Sequence, residues 1–116
     1  PDAGLTSALT RMLPRQMVSE MCLLARSVTA ERLADLGVIN AIDTDPLSHA
    51  HAITESFAKG PRKTQGTIKE LIGSAYENSE VQQLDAEREA MIRAVVDTEA
   101  KIGIAAFLNK EKPDYP

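Results

Sequence analysis

Helix-start and helix-stop signals recur so closely along this chain that they leave room for little except short helices. Asp45-Pro46 sets a capping carboxylate before a proline at the first helical position, and Gly60-Pro61 stops that helix near Lys59. A further helix runs from about Pro61 to Tyr76. Ser79 to Gln82, "SEVQ", matches a capping box and opens a long helix with Val81, Leu84, Met91, Ile92, Val95 and Val96 on one side. Thr29 caps a short helix through Leu36, closed by Gly37. Asp97 or Thr98 caps a last helix that ends before Pro113. Helical spacing also covers 15–25, and a turn at Pro1–Gly4 feeds an opening helix with Thr6 or Ser7 as its cap. The expectation is a mostly α chain of seven helical segments with one short strand, "VINAI" at 38–42. A lone strand leaves its backbone groups unpaired, so 38–42 is either an extended connector or a strand whose partner lies elsewhere.

Composition agrees. Among 116 residues, hydrophobic residues make up 43% and aromatics only 3%, with no Trp. The core must therefore come from Leu, Ile, Val, Met and Ala, most of which lose little rotamer freedom in helices. A net charge of −4 gives no basic face for nucleic acid. The single cysteine, Cys22, makes no internal disulfide, which points to a reducing, cytoplasmic setting. No apolar run reaches the roughly 20 residues of a membrane span.

Side chains that carry chemistry are sparse. His49 and His51, two apart on a helix, point to nearly opposite sides and cannot share a metal; the reading is solvent-facing histidines. Cys22 lies in an apolar stripe and reads as a core residue. "KGPRKTQGTIKE", 59–70, lacks the Lys-Ser/Thr of a phosphate loop and has no strand before it. It reads as a helix start with a basic flank, with a weak anion site at that helix N-terminus as the alternative. Asp85, Glu87 and Glu89 interleave with Arg88 and Arg93 as a solvated face, Glu89 and Arg93 forming an i, i+4 pair. Near the C-terminus, Phe107 and Lys110 set an aromatic beside a cation. That pair suits a nucleotide base and phosphate, or equally a core ring with a frayed end.

Three stretches carry a resemblance. "PDAGLTSALTRMLP" has a Pro-x-x-Gly turn before a helix ending in Leu-x-Arg (Leu9, Arg11). "LLARSVTAERLADLGVINAID" runs a helix into Gly-Val-Ile-Asn, Ala30 to Asn40. "GIAAFLNKEKPDY" sets out Gly103, Ala106, Phe107, Lys110, Pro113 and Tyr115. In order and spacing these resemble the C-terminal part of the enoyl-CoA hydratase/isomerase (crotonase) family, and the "PDAG" wording looks closer to its ring-modifying isomerases of aromatic-acid CoA thioesters.

The resemblance implies the helical oligomerisation region of the α/β crotonase (ββα spiral) fold, with 1–60 closing the core and 61–116 forming a helical trimerisation region. It also gives 38–42 a partner strand in the spiral. Family members run to about twice this length, so Pro1 would be a cut edge. The oxyanion hole and acid/base carboxylates would precede it, leaving no catalytic residue and no metal site in this chain. Phe107 would lie beside the adenine of CoA and Lys110 near its phosphates, with CoA carried as part of the substrate and no separate cofactor. Glu111 stands where the family usually has Arg, and Ile102 replaces an acidic residue before Gly103. The implied partners are an acyl-CoA substrate and further copies in a homotrimer or hexamer, with neither nucleic acid nor membrane. The rival class is a non-enzymatic helical self-association domain.

Overall fold

The computed structural model describes residues 2–116 and contains seven helices: α1 (Leu5–Met12), α2 (Arg15–Leu24), α3 (Ala30–Asp35), α4 (Pro46–Ala58), α5 (Arg62–Ser74), α6 (Glu80–Val95) and α7 (Thr98–Asn109). The chain divides into two compact units, Pro1–His49 and Ala50–Pro116.

In the first unit the entry to α1 is a backbone device. Ala3 and Gly4 both take positive φ, 49° and 83°, and the Leu5 N–H closes the turn on the Asp2 carbonyl at 3.0 Å. The expected caps Thr6 and Ser7 are already inside the helix. Gly4 is the N-cap, with no side-chain hydrogen bond, because the turn aims the chain without one. α1 packs on α2, and the buried residues at their junction are Leu13 and Val18.

The strand expected at 38–42 does not form. Thr29 accepts the Arg32 N–H as the N-cap of α3, and the helix closes on Gly37 at φ 72°. There the Gly37 N–H bonds the Ala34 carbonyl and the Val38 N–H bonds the Leu33 carbonyl, both at 2.9 Å. This doubly bonded, left-handed closure consumes the Val38 donor that a strand would need. Among the described residues no segment is a strand, and within this chain 38–42 is a bent connector. It ends in a carboxylate-rich turn. Asp43 Oδ1 accepts the Asp45 N–H at 2.9 Å, and Asp45 Oδ1 caps α4 by accepting the Ser48 N–H at 3.2 Å.

In the second unit α6 packs against α5 and α7, and the face it uses is made of small residues. Ala90 is buried and Ala86 and Ala94 are half-buried, in line with Gln83 and Asp97. Alanines at i, i+4 and i+8 let neighbouring backbones approach closely. The larger apolar stripe of α6 lies on the opposite side: Val81, Leu84, Met91, Ile92 and Val95 are all more than half exposed. Gln83 Nε2 donates to the Leu71 carbonyl at 3.2 Å, joining α6 to α5.

The capping box at the head of α6 is complete: the Gln82 N–H reaches Ser79 Oγ at 3.3 Å and Gln82 Oε1 accepts the Ser79 N–H at 2.8 Å. Replacing Ser79 by Ala should cost about 1 kcal/mol, read as a lower denaturation midpoint at an unchanged slope; no shift would mean the cap is idle.

Candidate functional site

Two parts of the second unit concentrate polar or exposed groups of possible function: the C-terminal end of α7, and the junction of the heads of α5 and α7.

At the first, α7 presents small residues inward and large ones outward. Ala106 is buried, while Phe107 is 82% exposed and Leu108 72% exposed. The helix ends at Lys110, which takes the left-handed conformation at φ 58°. Its N–H bonds the Phe107 carbonyl at 3.2 Å and the Glu111 N–H bonds the Ala106 carbonyl at 2.9 Å. Lys110 therefore stands at the reversal itself, and the tail turns back along α7. The return brings Tyr115 to Gly103, where a Cβ would meet the Tyr115 hydroxyl at 3.0 Å. Gly103 leaves room for the phenol, a physical reason for the spacing Gly-x-x-Ala-Phe-x-x-Lys-x-x-Pro-x-Tyr. The structure brings Phe107 and Lys110 to one helix terminus, both exposed.

At the second, α5 begins after Pro61 with no side-chain cap of its own. Its free N–H groups are met from α7. Glu99 Oε1 accepts the Lys63 N–H at 2.9 Å, and Glu99 Oε2 accepts both the Thr64 N–H and the Thr64 hydroxyl at 3.0 Å. Beside it Lys63 Nζ donates to Asp97 Oδ2 at 2.7 Å, and Asp97 Oδ1 accepts the Glu99 N–H at 3.1 Å as the N-cap of α7. Lys63 is 73% exposed, so water screens its pairing with Asp97. The half-buried Glu99, on two backbone donors and a hydroxyl, is the stronger tie. The stretch 59–70 is a helix start with a basic flank, and the donors that the alternative reading gave to an anion are taken by a carboxylate of the chain itself. Glu99 was missed because its partners lie 35 and 36 residues away and nothing local marks it. These groups line a groove of about 350 Å³ together with Ile68, Leu71, Ala90 and Ala94, with Met91 of the outer stripe at its edge.

The histidine and cysteine candidates line neither place. His49 is exposed and its Nδ1 lies 2.8 Å from Asp43 Oδ2, while His51 is exposed as well. Cys22 is half-buried and lines an apolar groove with Leu5, Leu9, Met21, Leu33 and Val38. Arg88 pairs with Asp85 at 3.1 Å and Arg93, at the edge of the groove, with Glu89 at 3.8 Å along exposed parts of α6.

With this geometry in view, comparison with known proteins is direct. The sequence matches the enoyl-CoA hydratase/isomerase family over residues 1–116, and the chain belongs to that family. It is 32% identical to the 1,2-epoxyphenylacetyl-CoA isomerase of Escherichia coli strain K12, over 99% of this chain and 45% of that protein. It is 29% identical to a probable enoyl-CoA hydratase of Rhodobacter capsulatus, over 99% of this chain and 46% of that protein. The crystal structure of an enoyl-CoA hydratase from Polaromonas sp. JS666 superposes with a TM-score of 0.93 at 37% identity, covering all of this chain and 46% of that one. The chain thus spans about half the length of the relatives it matches, and its mostly helical fold matches the corresponding part of a crotonase-fold structure. No helix among the described residues is long and apolar enough to cross a membrane.

The carboxylates at the α5–α7 junction give a pH signature. The Lys63 backbone N–H, above all, holds Glu99 below its ordinary value of 4.5. The Lys63 ammonium does the same, as the largest cause, for Asp97 below 3.8. Groups with depressed folded values stabilise the native state above their ordinary pKa and lose that contribution as pH falls through the folded value. Hydrogen-exchange protection of the Lys63 and Thr64 amides should therefore be full near neutrality and fall below about pH 4. Glu99→Gln should abolish that acid-side dependence; protection that is flat with pH in the unaltered protein would remove the tie.

Proposed function

We propose that this chain is the C-terminal half of an enoyl-CoA hydratase or isomerase acting in the cytoplasm on acyl-CoA thioesters through an oxyanion-stabilised enolate. Stabilising the negative charge that develops on the thioester oxygen is the central demand of such chemistry. In this reading the backbone donors and acid/base carboxylates that meet it precede Pro1, and residues 1–116 are inert alone. Their part is to wall the pocket, to hold subunits together and to complete the CoA site.

The observation that carries the reading is the end of α7 in a member of this family. Phe107 is a large ring left 82% exposed, one helical turn from an exposed lysine at the chain reversal. A ring so placed can stack on a base, while the ammonium meets phosphate charge. Glu111, next to Lys110, adds a like charge to that of the phosphates, so the phosphate contact rests on Lys110. The second support is the open stripe of α6. With Met91 65% and Val95 56% exposed, it is a contiguous apolar surface of the kind that marks subunit contacts, consistent with a trimer or a dimer of trimers.

In the intact protein, Phe107→Ala should weaken CoA binding by roughly tenfold, the worth of one stacked base at about 1–3 kcal/mol, and Lys110→Glu should weaken it further. Calorimetric titration showing CoA bound no worse after both changes would overturn the assignment of the CoA site. Ile92→Glu, placing a charge in the open stripe, should shift sedimentation of the intact protein to smaller species; an unchanged assembly would remove α6 from the subunit interface.

A further inference from the structure

Hydrogen bonds between residues 34 to 36 apart in the chain gather at one place, the junction of Glu99 and Asp97 with the first turn of α5. We infer that Glu99 is a positioning residue: by closing on that turn it sets the direction of α7, and with it the place where the far end of α7 offers Phe107 and Lys110 to a CoA thioester. This rests on the reading of Phe107 and Lys110 as CoA contacts.

The argument is mechanical. α7 has 12 residues, so at 1.5 Å per residue it is a lever about 18 Å long. A tilt of about 10° at its head displaces its end by about 3 Å, and displacements near 1 Å already disrupt ligand alignment. Something must therefore fix the angle of α7 against α5 and α6.

The apolar contacts are poorly suited to that task. Ala90 and Ala106 are small, and small residues allow close approach without the interlocking of long side chains. The clip between Tyr115 and Gly103 ties α7 only to its own tail. The directional tie from α7 to α5 is Glu99, whose two oxygens take three donors with fixed directions: two successive backbone N–H groups of α5 and the Thr64 hydroxyl. A carboxylate held by three directional bonds resists rotation as well as separation. Asp97 adds to this twice, by capping α7 through the Glu99 N–H and by holding Lys63. From α6 the charged groups that line the same groove are Glu87 and Arg93. Neither is bonded to Glu99.

The test uses the intact protein and CoA itself as the probe, comparing Glu99→Gln, Phe107→Ala and the double variant by calorimetry and by steady-state kinetics. Glu99→Gln is expected to raise the Kd for CoA and the KM of the thioester about three- to tenfold while kcat stays within about twofold, because binding geometry and not the reacting groups is altered. In the Phe107→Ala background the same change should have a clearly smaller further effect, since the ring it positions is gone and only Lys110 is left to be misplaced. Glu99→Gln leaving CoA affinity intact where Phe107→Ala weakens it would overturn the inference, as would equal losses in both backgrounds. If Phe107→Ala alone leaves CoA affinity unchanged, the CoA-contact reading fails first and takes this inference with it. Should Glu99→Gln not fold, Thr64→Val, which removes only the hydroxyl bond at nearly constant volume, must raise the Kd in the same direction; no change there would also overturn it.

Discussion

The close approach of three helices across an alanine face is the constraint on which the second unit depends. Ala86, Ala90 and Ala94 bring α6 close enough to α5 and α7 for a carboxylate on α7 to reach backbone donors on α5. Burying alanines removes little apolar surface from water, since the hydrophobic gain scales with area. The packing therefore supplies geometry more than driving force. The large side chains that would supply driving force, Leu84, Met91, Ile92 and Val95, are left facing outward. A helix arranged this way packs its small face within its own unit and leaves its large face open.

The helices were legible in the sequence because their boundaries are written locally. Ser79 and Gln82, Thr29 and Gly37, and Asp45 before Pro46 each act within a few residues. The structure uses every one of these signals. The strand at 38–42 misled for the same reason that Gly37 was read correctly. β-branched residues after a glycine look extended, but the left-handed closure at Gly37 takes the Val38 donor, and no segment among the described residues pairs with the rest. Periodicity also placed the large residues of α6 on one side and was silent about whether that side faces in or out. That depends on what stands next to the helix, and alanine carries almost no signal in a hydrophobic pattern.

The candidate site divides along the same line. Phe107 and Lys110 were singled out from composition and spacing, since a lone aromatic near a cation stands out in a chain with so few rings. Their relation changed with the structure, for Lys110 sits past the last helical residue, in a left-handed reversal that folds the tail back. Glu99 offered no such signal. It looks like an ordinary acidic residue in the first turn of a helix, where the dipole favours it anyway. Its partners are set by tertiary packing alone, and the basic stretch before α5, which drew attention as an anion site, turns out to be the socket for it.

The alanine face has one more consequence. Hydrogen bonds tolerate only a few tenths of an ångström before they weaken, whereas one added methylene in a packed contact forces a larger shift. Ala94 lines the same groove as Lys63, Asp97 and Glu99. The volume of a side chain with no polar atoms thus gauges the length of the bonds across that groove. α6 works as a spacer whose thickness is set in single carbon atoms, and the polar chemistry of its neighbours is calibrated to it.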